Sequence, residues 1–416
     1  MQDISLPTKR PYSPYPVLNL GFRIFFLSAG IFAVLTMLKW SHITFATHFA
    51  FTPTDMIPMY WHGHEMIFGY ALAVIAGFLL TAVKTWTNQP MPYGWQLLGI
   101  YLPWLMARTL YIINGIHIND FTTLACLADI SFWLLTAYFV IKPIWIVRQK
   151  RQIGIVAKLL LLFIAQLWYY VALFNHAWTA VQMSLLFAFY LIIGVVLTIG
   201  RRVMPMFIER GINDGGKVVQ KVKNSDLLDK LSLFSFFGFF LSDIFFTHLT
   251  DNGVAKAITS LFALVVALTN LLRLKNWYLA GIWARPLLWS LWLAFFGMVM
   301  GFIMYAIQPW AGFSHSIAMH LVALSGIGLM TLAMMSRVSL GHTGRSIHQP
   351  MRGVSGIFIC MILAWLCRGF LPLVAGANQY FVSIALAQGF WILAFVWFVV
   401  SYAKILLSPR PDGLFG

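Results

Sequence analysis

The sequence predicts an all-α membrane protein, a polytopic bundle of about twelve transmembrane helices in which residues 1–416 form a single domain. Hydrophobic residues make up 60% of the chain and charged residues only 10%, whereas soluble domains carry roughly 45–50% apolar and about 25% charged residues. The mean hydropathy is +0.81. The apolar residues also fall into runs of about 20, the length that crosses a hydrocarbon core. Soluble classes are therefore excluded, and the 36 Phe and 17 Trp exclude a disordered chain.

Twelve apolar runs predict the twelve helices, and the connections between them are short except for 201–228. In chain order the predicted spans are 21–40, 61–83, 94–113, 121–141, 155–175, 178–200, 229–249, 254–272, 285–307, 314–336, 353–373 and 380–403. The motif GRRVMPMF (Gly200 to Phe207) follows the sixth run, where glycine and basic residues predict a helix end and a turn.

The distribution of Lys and Arg predicts the orientation. With the N-terminus placed in the cytoplasm, all but four of the 28 Lys and Arg residues lie at cytoplasmic helix ends or loops. The exceptions lie near outer helix ends and are Lys39, Arg108, Lys256 and Arg368. Cytoplasmic loops carry an excess of Lys and Arg, so both termini are predicted inside. The net charge of +16 then reflects membrane topology rather than a nucleic-acid partner.

Most of the eleven histidines fall in the predicted outer half of the membrane. They are His42, His48, His62, His64, His117, His176, His248, His315 and His320. Imidazole is a common ligand of haem iron and copper, so histidines from several helices at one level indicate a metal site. The alternative is that each is an interfacial residue with its own hydrogen bond. His320 is the strongest candidate, because it lies roughly 9 Å inside the predicted boundary at about 1.5 Å rise per residue.

Three acids and two arginines lie well inside predicted spans and need partners there. Glu65, Asp129 and Asp243 could accept a hydrogen bond from a metal-binding histidine, relay protons, or form structural bonds between helices. Arg108 and Arg368 could extend their charged groups to the membrane surface or bind an anionic group bidentately. The three cysteines form no CxxC pair, which argues against a cysteine metal site or a disulfide framework.

Three segments resemble the NnrS family: WHGHEMIFGYALAVIAGFLLTAV (Trp61 to Val83), LTIGRRVMPMF (Leu197 to Phe207) and GLMTLAMMSRVSLGHTGR (Gly328 to Arg345). The similarity extends over nearly all twelve helices. The resemblance implies a multi-pass protein of the bacterial cytoplasmic (inner) membrane that contains haem, expected as haem b, and copper. It further implies a role in nitric oxide metabolism and nitrosative stress. The expected partners are the lipid bilayer, nitric oxide or a similar small ligand, and an electron-donor protein.

A more distant resemblance is to the core subunit of haem–copper oxidases and nitric oxide reductases. That fold also has twelve helices, with its metals in the outer half of the membrane. The matching residues are His62, Gly63, Met66, Gly77 and Phe78 on the second helix and His320 and Gly326 on the tenth. Ala318 stands where that family has the first histidine of its tenth-helix H-x-H pattern, and the copper histidines of the sixth and seventh helices are incomplete. The resemblance therefore implies a single haem between the second and tenth helices.

The predicted haem ligands are His320 and one histidine of the second helix. His62 is favoured because it fits the H-G-x-x-M pattern, and His64 is the alternative. Two residues on a regular helix are separated by about 200° of rotation, so both cannot face one iron. Arg108 and Arg368 are predicted to bind the haem propionates, because carboxylates inside hydrocarbon need a partner.

A separate copper site is predicted from His176, His248 and His315, all at outer helix ends. Copper accepts imidazole readily, and three histidines can form a first shell, although loop-end histidines can also simply face water. Glu65 and Asp243 are predicted to accept hydrogen bonds from ligating histidines. No catalytic residue is assigned.

These observations predict a membrane haem protein, with copper as a further cofactor, that binds or turns over nitric oxide in the outer half of the membrane. Whether it is an oxidoreductase or only binds the ligand stays open. The alternatives are a secondary transporter, which twelve helices with both ends inside also fit, and a haem or copper delivery and assembly factor. Transporter sites lie near the midplane, whereas the polar residues here lie outward.

Overall fold

The computed structural model describes residues 14–45, 55–213, 221–247, 252–374 and 379–416. These ranges contain twelve long helices and no β-strand, and eleven of the helices are long and apolar enough to span a membrane. The helices are α1 Gly21–Phe45, α2 Pro58–Thr87, α3 Trp95–Asn114, α4 Asp120–Ile146, α5 Lys150–Phe174, α6 Trp178–Ile212, α7 Asp226–Ser242 with its continuation Asp243–Thr247, α8 Gly253–Asn276, α9 Pro286–Ala311, α10 His315–His342, α11 Val354–Val374 and α12 Tyr380–Leu407.

Each predicted apolar run coincides with one helix, so the predicted all-α membrane bundle is confirmed. The helix outside the set of eleven is α7, whose described part ends at Thr247. The long apolar helices also show that the protein is a multi-pass membrane protein in contact with lipid. The assignment of both termini to the cytoplasm stays a prediction.

Helix α6 is longer than predicted. It continues beyond residue 200 to Ile212, so the prediction that GRRVMPMF forms a helix end and a turn is wrong. Arg202 within this motif donates to the side-chain oxygen of Gln152 (2.9 Å) and to the carbonyl of Arg151 (2.8 Å). These bonds hold the basic part of α6 against the start of α5, and the helix accommodates Pro205 in its interior.

Helices adjacent in sequence pack against each other, and α1 packs against α12, so the first and last helices close the bundle. Helices α2, α6 and α10 meet inside it. Helix α6 contacts both α2 and α10, and the hydroxyls of Tyr70 on α2 and Thr331 on α10 are 2.6 Å apart. Glycines permit close approach: a Cβ at Gly301 on α9 would lie 2.8 Å from the backbone nitrogen of Val322 on α10.

Three helices change from α to π geometry part of the way along. The π-helical segments are Glu65–Ala71 in α2, Asp243–Thr247 in α7 and Ala323–Leu329 in α10. Such segments are rare and occur frequently at functional sites. Glu65 and Asp243 each begin one of them, and His320 lies three residues before the third. The three π-helical segments therefore begin at, or close to, residues that the sequence analysis identified as candidate site residues.

Candidate functional site at the histidine-rich end

His62 and His64 face opposite sides of α2. The ring of His62 stacks on Trp40 of α1, with centroids 4.6 Å apart and planes 13° apart. The ring of His64 packs instead on Tyr169 of α5, with centroids 4.5 Å apart. This follows from the rotation of about 200° between residues i and i+2 of a helix. The two imidazoles therefore lie in different environments and do not share a ligand.

His320 on α10 has one ring nitrogen committed to its own helix. Its Nδ1 lies 2.7 Å from the carbonyl oxygen of Ser316. Because a carbonyl can only accept, Nδ1 carries the proton in this bond, and Nε2 keeps its lone pair. Within the described residues, Nε2 has no hydrogen-bond partner. Metal-binding histidines commonly have this arrangement, in which a backbone carbonyl fixes the tautomer and the orientation of the ring.

Arg368 on α11 lies beside the same histidine. Its NH2 donates to the hydroxyl of Ser316 (2.9 Å), which is itself 3.2 Å from Nδ1 of His320. The guanidinium also lies over the ring of Tyr380, 5.8 Å from its centroid. Arg368 lies within electrostatic range of His62 and of His320, and the two histidines lie within range of each other. His320 and Arg368 are thus linked through Ser316, and His62 on α2 lies within electrostatic range of both. Their roles as a joint site stay a prediction.

Two polar atoms of this group are open. Nδ1 of His62 and NH1 of Arg368 are both buried, and neither has a hydrogen-bond partner within the described part of the chain. An unsatisfied buried polar group costs about 1–3 kcal/mol, and more when it is charged. The arrangement therefore offers an imidazole nitrogen and a guanidinium nitrogen to a ligand.

Arg108 lies in a different cluster, together with His64. Its NH1 donates to Oε1 of Glu65 (2.6 Å) and its NH2 donates to Oδ1 of Asp129. Nδ1 of His64 is 2.7 Å from Oε1 of Glu65, and the hydroxyl of Tyr170 donates to Oδ2 of Asp129 (2.6 Å). The cluster connects α2, α3, α4 and α5. All five side chains are almost completely buried.

This cluster bears on the predicted roles of Arg108 and Glu65. Arg108 was expected to bind a haem propionate, but both of its terminal nitrogens bind carboxylates of the protein itself. Glu65 was expected to orient a metal-binding histidine, and the histidine that it contacts is His64, on the far side of α2 from His62. Of the two arginines, Arg368 is the one with an open terminal nitrogen.

Asp243 is the centre of a third polar cluster, between α6, α7, α9 and α10. The hydroxyl of Tyr190 donates to its Oδ2 (2.5 Å), and Nε2 of His315 lies 3.2 Å from its Oδ1. The hydroxyl of Tyr305 is 3.1 Å from that of Tyr190. Asp243 and Tyr190 are buried, and His315 is partly exposed. Asp243 thus contacts a histidine, His315, and its role beside a metal-binding histidine stays a prediction.

The three-histidine copper site stays a prediction. His176 is exposed, has a left-handed backbone with φ of 51°, and lies edge-on to Trp178. His315 contacts Asp243, and His248 lies outside the described residues. Among the residues that the structure does describe, no group of three or more His, Cys, Asp or Glu could hold a metal ion.

An apolar cavity of about 80 Å³ lies between α1, α2, α6 and α10. Its lining includes Phe26, Val74, Phe78, Val195, Met330 and Met334. The lining contains no charged side chain, so the cavity suits a small apolar molecule rather than an ion.

Sequence reasoning missed several residues of these clusters. Ser316 could have been found, because it lies four residues before His320 and therefore on the same helix face. Trp40, Tyr169 and Tyr170 give no comparable signal. An aromatic residue in an apolar run has the same appearance in the sequence whether it faces lipid or a buried imidazole.

The fold and the site together define a polytopic membrane protein with buried imidazole and charged clusters toward one end of its helical bundle. The chain belongs to the NnrS family: the family described as NnrS protein matches residues 16–410, nearly the whole chain. A comparison with the curated proteins finds no match. The resemblance seen in three sequence segments is confirmed, and membership of this family is consistent with a role related to nitric oxide.

Proposed function

We propose that His62 and His320 ligate the iron of one haem b between α2 and α10, and that the protein binds or turns over nitric oxide at this centre. One observation carries the proposal. The hydroxyl of Ser316 joins NH2 of Arg368 on α11 (2.9 Å) to the imidazole of His320 on α10 (3.2 Å). A buried nitrogen of His62 on α2 and one of Arg368 have no partner within the described residues.

The number of imidazoles favours haem over copper at this position. The porphyrin itself supplies four nitrogens, so haem iron needs only one or two axial ligands from the protein. A pair of histidines is sufficient for that purpose. The copper site predicted from the sequence uses three histidines, and the described residues contain no group of three or more His, Cys, Asp or Glu that could hold a metal ion. The copper site therefore stays predicted at His176, His248 and His315.

Arg368 fits an anionic substituent of the same group. Its side chain is almost completely buried, and Ser316 holds NH2 while NH1 stays open. A guanidinium binds carboxylates through two parallel hydrogen bonds. In this proposal Arg368 is the propionate-binding arginine, and Arg108 serves the neighbouring ion cluster.

The protein's own residues would position and protect the centre. The carbonyl of Ser316 keeps the proton of His320 on Nδ1, so Nε2 would be the nitrogen that binds the iron. Trp40 covers one face of the His62 ring and limits the access of water. When bound, haem would supply the iron. Because the porphyrin and the two histidines together fill its six positions, one histidine would have to leave before a diatomic molecule coordinates. Nitric oxide is neutral and apolar, so it can reach such a site through the bilayer.

The experiment is an optical and elemental analysis of the protein purified in a neutral detergent. The proposal predicts a Soret band, about one iron per chain, and a shift of the band when nitric oxide is added to the reduced protein. Consumption of nitric oxide, followed with an electrode, then separates turnover from binding. A colourless protein without iron would contradict the proposal and favour a transporter. Haem that passes readily to an acceptor apoprotein would favour a delivery factor.

A further inference from the structure

The third polar cluster contains four side chains of types that bind metal ions. Asp243 on α7, Tyr190 on α6, Tyr305 on α9 and His315 on α10 supply a carboxylate, two phenols and an imidazole. The first three side chains are at most 2% exposed, whereas the side chain of His315, the first residue of α10, is 24% exposed. The cluster is therefore buried between the helices and is open at the start of α10.

The donor atoms of these side chains lie close together. The hydroxyl of Tyr190 is 2.5 Å from Oδ2 of Asp243 and 3.1 Å from the hydroxyl of Tyr305. Nε2 of His315 is 3.2 Å and 3.3 Å from the two carboxylate oxygens of Asp243. The rings of Tyr305 and His315 are edge-on, with centroids 5.2 Å apart, so the four side chains form a closed group rather than a row.

These separations are close to those of atoms that share one ion. Oxygen and nitrogen ligands about 2.0–2.2 Å from an ion are about 2.8–3.6 Å from one another in tetrahedral or octahedral geometry. Three of the four measured separations lie in this range. The fourth, 2.5 Å between Tyr190 and Asp243, is that of a hydrogen bond whose proton an ion would replace. Asp243 also begins a π-helical segment, and such segments occur frequently at functional sites.

The donor set favours a trivalent ion. With both phenols ionised, Asp243, Tyr190 and Tyr305 carry three negative charges, and the imidazole of His315 is neutral when it binds a metal. A trivalent cation makes this complex neutral, whereas a divalent cation leaves an uncompensated negative charge. That charge is costly here, because the surroundings are apolar: the ring of Phe239 lies 5.4 Å from that of Tyr190 and 4.9 Å from that of Tyr305.

We propose that Asp243, Tyr190, Tyr305 and His315 bind a ferric ion that is not part of a haem. Tyrosine oxygen is a ligand of iron in proteins, and imidazole suits iron as well. Binding releases one proton from each phenol and changes no oxidation state. A cluster that only connects helices would have the same hydrogen bonds but no affinity for a trivalent ion. His315 can serve either this ion or the predicted copper site, and the ion that the cluster takes up decides between them.

The test is a metal titration of the protein purified in a neutral detergent and treated with EDTA. Ferric nitrilotriacetate, copper(II) and zinc(II) are added separately, and the metal retained per chain is counted. We expect uptake of about one ferric ion per chain, with a rhombic high-spin signal in electron paramagnetic resonance and phenolate ring modes in resonance Raman spectra. A haem held by histidines does not give phenolate modes, so these modes identify the proposed site. Gallium(III), which has the same charge, is expected to compete with the ferric ion.

Tyr305→Phe and His315→Gln are each expected to weaken ferric binding at least about 100-fold, because the loss of an outer partner alone weakens metal binding about 10–100-fold. The matched control is Tyr111→Phe. Tyr111 is a buried tyrosine of the cluster around Arg108, with its hydroxyl 3.2 Å from that of Tyr170, and its variant is expected to bind iron as the parent protein does. His315→Gln, at a partly exposed position, decides the question if Tyr305→Phe does not fold.

Three results would overturn the proposal: no ferric binding by the parent protein, an equal loss of binding in the control, or preferential uptake of copper(II). The proposal is independent of the haem centre, so the Soret band is expected to be the same in all three variants.

Discussion

Arg108 on α3 and Glu65 on α2 form a buried ion pair, with NH1 2.6 Å from Oε1 and neither side chain more than 2% exposed. The same guanidinium binds Asp129 on α4. A charge is tolerated in such surroundings when it is paired and hydrogen-bonded. The pair holds α2 at the first residue of its π-helical segment, next to His64 and three residues from His62. We infer that it fixes the position of α2 at the histidine-rich end.

Replacing Arg108 with Gln is expected to destabilise the protein by about 3–5 kcal/mol, because two buried carboxylates lose their cation. The measurement is the unfolding free energy in detergent, made on protein from which any haem has been removed. Arg368→Gln is the comparison, since that arginine has no described carboxylate partner. If Arg108→Gln has the unfolding free energy of the parent protein but loses haem, then Arg108 binds a haem propionate, and this prediction is wrong.

Replacing Gly69 with Ala is expected to disturb the same cluster. The added Cβ would lie 2.6 Å from Cε1 of Phe32 and 2.9 Å from NH1 of Arg108. Overpacking of this kind costs typically 1–3 kcal/mol. Gly99→Ala on α3 is the control, because nothing lies within 4 Å of its Cβ, and alanine there should be neutral or stabilising. Equal unfolding midpoints for the two variants would show that the close packing of Phe32 and Arg108 against Gly69 is unimportant.

Replacing Gly301 on α9 with Ala is expected to displace the part of α10 that carries His320. The added Cβ would meet Val322 of α10 at the backbone nitrogen, which cannot rotate away as a side chain can. The change would separate α9 from α10 two residues after His320. We expect a loss of stability of about 1–3 kcal/mol together with reduced haem retention, measured as iron per folded chain. Unchanged iron content in a destabilised variant would place the metal centre elsewhere.

Tyr190→Phe is expected to weaken the third cluster. The variant loses the hydrogen bond from its hydroxyl to buried Asp243, and bonds to charged groups contribute about 1.5–3 kcal/mol. Tyr93→Phe, whose hydroxyl makes no hydrogen bond within the described residues, is the control for loss of the hydroxyl alone. The thermal midpoints of the two variants are compared. A loss in Tyr93→Phe as large as that in Tyr190→Phe would refute a specific role for the bond.

Hydropathy alone was sufficient for the fold, because the bilayer allows few alternatives to a helix for an apolar run of this length. It failed at the end of α6. There the helix extends beyond the apolar run, and Gln152 and Arg151 at the start of α5 bind Arg202 in this extension. Contacts between distant parts of the chain decide such an end, and they are not visible in a local pattern.

The site was partly predictable. The H-G-x-x-M pattern and the depth of His320 selected two histidines that lie within electrostatic range of each other, and their role as haem ligands stays a prediction. The helical periodicity also predicted that the side chains of His62 and His64 point to opposite sides of α2. The ion cluster was not foreseen, because sequence periodicity does not determine how each helix is rotated relative to its neighbours. Glu65, Arg108 and Asp129 were each identified as buried charges, but nothing in the sequence indicated that they bind one another.

The most direct test of the account is the haem content of four single variants: His62→Ala, His320→Ala, His64→Ala and His176→Ala. The Soret absorbance and the iron per folded chain are measured on each protein purified in detergent. The account predicts that His62→Ala and His320→Ala lose the haem spectrum while remaining folded in the membrane. It predicts that His64→Ala and the exposed His176→Ala retain it. Full haem in His320→Ala, or loss in His64→Ala with retention in His62→Ala, would contradict the assignment of the centre to the space between α2 and α10.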